Sequence, residues 1–234
     1  MKNQYFGDIN DYKKYGLLRA IKKASNLQQL VAWMLTPDDG GSDGKFVEYL
    51  TEPSKWEKHD PLLYSELIRL VGKGRNVSLI EESNILNECA FFSDIVPDSS
   101  ANRKEWFSNL LTASTHTDLV FLDPDNGIEI KSKPYGRKDS SKFLYWHEIK
   151  ELWKSGKSLL IYQHFIREKR ETYIQRILQA VQQETTNSTI HAFATPRVLF
   201  ILALQPRHQM HQDAIIKAIT NSWGDQIKHW KLIH

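Results

Sequence analysis

Leu119-Val120-Phe121-Leu122 runs without a polar break into Asp123-Pro124-Asp125-Asn126-Gly127. Four successive apolar residues suit a strand buried in a sheet, and the turn-forming residues behind them stop it at once. The same punctuation recurs. Leu30–Leu35 runs into Thr36-Pro37-Asp38-Asp39-Gly40-Gly41-Ser42-Asp43-Gly44, a strong loop signal, and the expected strand Ser158–Tyr162 runs into Gln163-His164. Further strands are expected around Val77–Ile80, over Arg197–Leu204 and near His229–Ile233. Helices are expected over Asp8–Lys23, Ala101–Thr112, Phe143–Ser155, Arg167–Gln183 and Gln212–Ser222, with polar, mainly helical sequence reaching about Lys73. In the first helix Tyr12, Tyr15, Leu18 and Ile21 recur at helical spacing and Leu17 widens the stripe, while Asp8, Asn10 or Asp11 can cap it. Strands alternating with helices point to an α/β three-layer sandwich with a largely parallel central sheet flanked by helices. A chain of 234 residues fits one such domain, residues 1–234.

In open α/β sheets ligands bind beyond the carboxyl ends of the strands. Thr36-Pro37-Asp38, Asp123-Pro124-Asp125 and Gln163-His164 each follow an expected strand, so they are expected to converge on one rim. Composition narrows the class of function only a little. Hydrophobic residues at 41% and charged residues at 25% suit a globular protein, and a formal charge of +3 permits a polyanionic partner without requiring one. A single cysteine, Cys89, excludes an internal disulfide and a Cys-based zinc cluster within one chain, and its apolar setting suggests a buried structural thiol. The first residues carry no apolar signal core and no window approaches a membrane span, so the expected location is cytoplasmic.

Asp123 carries the strongest chemical signal. A carboxylate at the end of a buried strand is partly desolvated and held by nearby donors, although Asp-Pro and Asn-Gly also simply start turns. Asp8, Asn10 and Asp11 crowd the first helix start, where capping alone needs one of them. The other reading is a polar cluster reaching toward Asp123, aided by Lys14 one turn on. His164 is a candidate to orient substrate, against the bland reading of a structural histidine. The basic stretch Lys131, Lys133, Arg137, Lys138 and Lys142 suits phosphate contacts, and Arg167, Lys169 and Arg170 extend it, against a merely solvated loop. His208 and His211 would make a metal pair only with carboxylates beside them; a structural role on the helix is the alternative.

The opening Gly7-Asp8 to Leu18, the segment Val31 to Gly44 and Val120-Phe121-Leu122-Asp123-Pro124 occur in the same order in a known family. They are similar to the adenine-N6 methyltransferases of large-subunit ribosomal RNA, which implies a Rossmann-like layout. Two motifs depart from that pattern: the turn after the first strand carries Pro37, Asp38 and Asp39, and Asp123-Pro124-Asp125-Asn126 lacks the second proline and the stacking aromatic. Asp123-Pro124 with Asn126, followed by His164 after a later strand, resembles the uracil-DNA glycosylase superfamily. That superfamily acts on a flipped base. The wealth of Asp and Asn is similar in spirit to antiphage glycosylases that remove glucosylated hydroxymethylcytosine.

These resemblances imply a DNA glycosylase hydrolysing the N-glycosidic bond of a modified base, with a possible role in antiviral defence. Asp123, Asp125, Asn126 and Asp8 are then the expected catalytic residues. Asn10, Asp11, Lys14, His164, Lys133, Arg137 and Lys138 are expected to contact modified duplex DNA. Neither a metal nor an organic cofactor is expected. The alternatives are an S-adenosylmethionine-dependent adenine methyltransferase, a Mg-dependent nuclease built on Asp8, Asp11, Asp123 and Asp125, and a nucleic-acid-binding module without chemistry.

Overall fold

The carboxylate of Asp8 accepts hydrogen bonds from the backbone amides of Asn10 and Asp11, and this cap opens helix α1, Ile9–Ser25. Asn26 closes it in the left-handed conformation, its amide donating to the Lys22 carbonyl. The computed structural model describes residues 1–38, 40, 44 and 46–233. After α1 come β1 (Gln29–Ala32), α2 (Pro53–Trp56), α3 (Pro61–Val71), α4 (Ser78–Glu81), β2 (Cys89–Phe92) and α5 (Ser100–Ala113). The central part holds β3 (Leu119–Leu122), β4 (Gly127–Ile128), β5 (Phe143–Leu144), α6 (Trp146–Lys154) and β6 (Ser158–His164). The chain continues through α7 (Arg170–Glu184), β7 (Thr189–Ala194), β8 (Val198–Leu204), α8 (Gln212–Trp223) and β9 (Lys228–Lys231).

Seven strands form one sheet in the order β2-β1-β3-β6-β8-β7-β9, and β4 pairs with β5 beside it. The run β2-β1-β3-β6 is parallel; β8 is antiparallel to both β6 and β7, and β9 is antiparallel to β7. The connection leaves β1 for β2 on one side, while β3 pairs on the other, which places a crevice at the carboxyl ends of β1 and β3.

The alternation of side chains along the strands builds a core on each face. Val31, Phe121, Leu160 and Phe200 face α1, α3 and α8, through Tyr15, Leu67 and Ile219 among others. Leu30, Val120, Leu122 and Ile161 face α5, α6 and α7, through Leu110, Leu152 and Leu178. Strand β3 is thus apolar on both faces because helices cover both, which is the three-layer sandwich its uninterrupted sequence implies. Each fully buried Leu, Ile or Phe contributes about 1.5–3 kcal/mol relative to exposure. Gly16 lets α8 approach closely: a Cβ there would collide with the Trp223 indole.

Several elements differ from the sequence expectation. Val77–Ile80 is not a strand; α4 covers Ser78–Glu81, and Asn76 Oδ1 accepts from the Ser78 amide at its start. A short apolar run fits helix and strand equally. Phe143–Leu144 is strand β5, and the helix begins only at Trp146, where Glu148 Oε2 accepts from the Tyr145 amide. Strands β2 and β7 add to the expected set. The first strand ends at Ala32, although the Trp33 amide still donates to the Phe92 carbonyl and Leu35 bridges to Ile95. Of the loop expected over Thr36–Gly44, Asp39 and Gly41–Asp43 lie outside the described residues. No helix among the described residues is long and apolar enough to cross a membrane. Cys89 is half-buried rather than buried, and desolvation pushes its thiol up to about 11, which suits an inert side chain.

Candidate functional site

Asp123 stands one residue beyond β3, and its amide still donates to the Ala32 carbonyl of β1 at 3.1 Å. The ladder therefore fixes the carboxylate at the mouth of the crevice. From the other side comes the first turn of α1, where Asp11, Lys14 and Tyr15 lie at helical spacing. Lys14 Nζ donates to Asp11 Oδ1 at 2.7 Å and to Asp123 Oδ2 at 2.6 Å. Asp11 Oδ2 accepts from the Gly7 amide at 2.9 Å and from the Tyr15 hydroxyl at 3.0 Å. The side chains of Lys14 and Asp123 are 3% and 2% exposed, so this is an ion-paired network inside the protein. Met1 lies across the same opening. Its amine donates to the carbonyls of Met34 and Asp123, and its carbonyl accepts from the Thr36 amide.

Burial works against each charge here, and the neighbours decide the outcome. For Lys14, desolvation pulls the ammonium down, but Asp11 and Asp123 together push harder and the net shift is upward. Burial raises the Asp123 carboxyl, opposed by Lys14 and the Met1 amine. Asp8 is lifted from 3.8 to about 7 by burial and then by the charge of Asp11. Its cap bonds to Asn10 and Asp11 only partly offset this.

These groups open onto a cavity of about 850 Å³, within the range of small-molecule sites. Asp8, Asn10, Asp11, Lys14, Asp123, Asp125, Asn126 and His164 all line it, so the structure gathers these eight sequence candidates at one place. Asp125 lies 3.7 Å from Lys2 Nζ. Asn126 is exposed, and its amide donates to the Lys142 carbonyl. Gly127 then turns with φ 95°, which brings Ile128 N within 2.7 Å of Gln163 Oε1 and pins the DPDNG turn to β6. His164 closes β6 with its ring edge-on to Tyr162; burial lowers its pKa and Asp125 partly restores it. Gln163 and His164 are therefore the last residues of a strand that extends beyond Tyr162.

The basic stretch behaves differently from expectation. Lys131 lines the cavity, but Lys133, Arg137 and Lys138 are not among its lining residues. Lys133 Nζ binds Asp139 Oδ2 at 2.8 Å, and Lys142 reaches the other oxygen at 3.2 Å. Hydrogen bonds from Lys133 and then Lys142 draw the Asp139 carboxyl to about 2. Two of the loop's cations are thus neutralised internally, while Arg137 and Lys138 are exposed. Arg170 stacks on Phe165 and donates to the carbonyls of Thr195 and Pro196, tying α7 to the β7–β8 turn. Thr36–Asp38 stay outside the lining, whereas Met1, whose carbonyl accepts from the Thr36 amide, is part of it.

Other walls came from residues that the sequence gave no reason to select. Trp146, Tyr162 and Tyr173 provide aromatic surface, and Arg176 and Arg197 provide charge. Their helices and strands were legible, but their direction relative to the rim was not. His208 has a structural role: Nδ1 lies 2.8 Å from the buried Ser158 hydroxyl at the start of β6, far along the strand from His164. Among the described residues no group of three or more His, Cys, Asp or Glu is placed to hold a metal ion. Between Asp11 and Asp123 the Lys14 ammonium already sits where a cation would have to bind. No protein-family model matches the chain, and no curated protein matches it in sequence.

Proposed function

We propose that this chain hydrolyses the N-glycosidic bond of a nucleobase-bearing substrate, as a DNA glycosylase acting on a modified base. The observation that carries the reading is one cavity holding two carboxyl groups in unlike settings. Asp8 makes no ion pair among the described residues and burial raises it to about 7, while Asp123, also raised by burial, is joined to the Lys14 ammonium at 2.6 Å. Carboxyl groups with separated roles are what glycoside hydrolysis needs. Asp8 serves as the acid that protonates the departing base. Asp123, ion-paired with Lys14, stabilises positive charge at the anomeric carbon or orients the attacking water. Asp125, Asn126 and Asn10 supply hydrogen bonds to the polar groups of a decorated base, and His164 orients it. Trp146 and Tyr162 give the apolar faces that an extruded base requires. Lys131, which lines the cavity, and the exposed Arg137 and Lys138 further along its loop are the phosphate contacts in this reading.

Mass spectrometry of free bases released from DNA bearing varied modifications is the test. Asp123→Asn is expected to lower release by about 10²–10⁴-fold. Activity of the unmodified protein is expected to fall as pH rises through about 7, where Asp8 loses its proton. Undiminished release by Asp123→Asn would end the role given to this residue.

One observation favours a second reading, methyl transfer to adenine: Asp123-Pro124 stands beside the crevice between β1 and β3, where α/β proteins bind nucleotides. That crevice is filled by Met1, which is 4% exposed and bonded to Met34, Thr36 and Asp123. A nucleoside donor would have to displace it. Calorimetry with S-adenosylmethionine separates the readings, because a glycosylase takes up no such donor.

A further inference from the structure

Lys13 neighbours Lys14 on α1 but turns away from the carboxylate network. Its side chain is sunk into the protein, with the residue 5% exposed, and it makes no hydrogen bond or carboxylate pair among the described residues. Its ammonium lies 5.5 Å from the centre of the Trp56 ring and lines a second cavity of about 330 Å³. Lys55 and Arg197 line the same cavity from α2 and from the turn before β8. Arg197 lies 3.9 Å over the Phe46 ring. Asn10, Phe46 and Arg197 line both cavities, so the two adjoin.

Three cations from three separate segments line a small space, and the most buried of them makes no ion pair among the described residues. The two carboxylates in the lining are Glu48 and Glu52. Glu52 is engaged by Lys55 at 3.4 Å and by the Trp56 indole at 3.1 Å. Desolvation, then the charges of Arg197 and Lys55, hold the Lys13 ammonium down to about 8, while Asp8 pulls the other way. A bound anion relieves this repulsion. Donors converging from several directions suit a tetrahedral oxyanion, whereas a flat carboxylate is matched by a single arginine fork.

We propose that Lys13, Lys55 and Arg197 form a phosphate-binding subsite adjoining the main cavity. It takes a phosphate of the nucleic-acid substrate whose base enters that cavity, and this assignment of source rests on the nucleobase reading above. Lys13 is then a substrate-binding residue, and Arg197 spans the base and phosphate compartments.

The test follows the Lys13 side chain by NMR in the full chain carrying ¹³C-labelled lysine, with its signal identified by its loss in Lys13→Met. In chloride it is expected to titrate near pH 8. Inorganic phosphate at matched ionic strength is expected to move that titration upward, saturably, by at least about half a pH unit. Arg197→Gln, a change at an exposed position, is expected to weaken the saturation several-fold. An identical titration in phosphate and chloride overturns the subsite. A short single-stranded oligodeoxynucleotide is the second probe. Saturation at roughly tenfold lower concentration than inorganic phosphate supports a nucleic-acid source, and no response to it overturns that source. The base-release assay stands apart. If no DNA yields a free base while phosphate still moves Lys13, the nucleobase reading fails and the phosphate subsite stands.

Discussion

Lys14 Nζ lies 2.6 Å from Asp123 Oδ2, a contact that joins the first helix to the end of a central strand across 109 residues of sequence. Lys14 also holds Asp11 at 2.7 Å, so one ammonium compensates two buried carboxylates. The network is at once the structural tie between α1 and the sheet and the source of the charge at the candidate site.

Replacing Lys14 by Met is therefore expected to destabilise the fold by about 3–5 kcal/mol, the usual effect of stranding a buried charge. Urea unfolding across pH adds a second mark. The Lys14 pKa is raised above 10.5 in the folded protein, so its contribution is complete below pH 10.5 and is lost as pH rises through the folded value. In Lys14→Met that alkaline loss disappears. The variant instead gains stability on acidification, as the uncompensated Asp123 takes up a proton. A variant as stable as the wild type at pH 7 contradicts the compensating role.

Asp8 makes a pH prediction of opposite kind. Its folded pKa of about 7 exceeds the unfolded 3.8, so the folded protein binds the proton more tightly. The stability from this group is full below pH 3.8 and declines as pH rises toward 7. Asn caps a helix as well as Asp does. Asp8→Asn is thus expected to remove this decline and to be more stable than the wild type at pH 8, by on the order of 1–3 kcal/mol. Denaturant titrations of both proteins from pH 4 to 8 check it; superimposable pH curves would show that Asp8 titrates normally.

Gly127 tests how tightly the DPDNG turn is held. With φ 95°, an added Cβ would lie 2.5 Å from Gln163 Oε1, the atom that accepts from Ile128. Gly127→Ala is expected to cost about 1–3 kcal/mol through backbone strain and collision. Gly40→Ala is the control, because its φ of 68° is also positive but nothing lies within 4 Å of its Cβ. Comparable melting temperatures for the two variants would show that the contact to Gln163 is unimportant.

On the opposite face of the sheet, Arg103 grips Glu148 through two hydrogen bonds of 2.7 and 2.9 Å and also donates to the Phe143 carbonyl. Arg103→Met is expected to cost about 3–5 kcal/mol, because Glu148 is left buried without its cation. The double variant Arg103→Met with Glu148→Leu is expected to recover most of that loss. Calorimetric unfolding of both proteins decides; a double variant less stable than the single one would mean the pair itself supplies the stability.

Local sequence settled much of this molecule. The stripe Tyr12, Tyr15, Leu18 and Ile21 specified α1, Asp8, Asn10 and Asp11 offered caps for its start, and the unbroken run Leu119–Leu122 specified a strand covered on both faces. Those patterns suffice because side-chain periodicity reports how many faces of an element are buried. The meeting of Asp123, Asp125 and His164 on one rim was likewise legible, since strand ends in such sheets share an edge, but Thr36–Asp38, expected there too, stay outside it, and Asp8 and Asp11 read equally well as caps. Tertiary structure decided the rest. Nothing local distinguishes a strand from a helical turn at Val77–Ile80, or marks the antiparallel hairpin of β7 and β8. Lys133 looked as available as Lys131 until the fold brought Asp139 against it, and Lys13 looked like Lys14 until one met two carboxylates and the other met Trp56. Charge and burial are properties of the assembled neighbourhood: a sequence specifies which groups can ionise, but the partners that desolvate or compensate them are chosen only when distant segments pack.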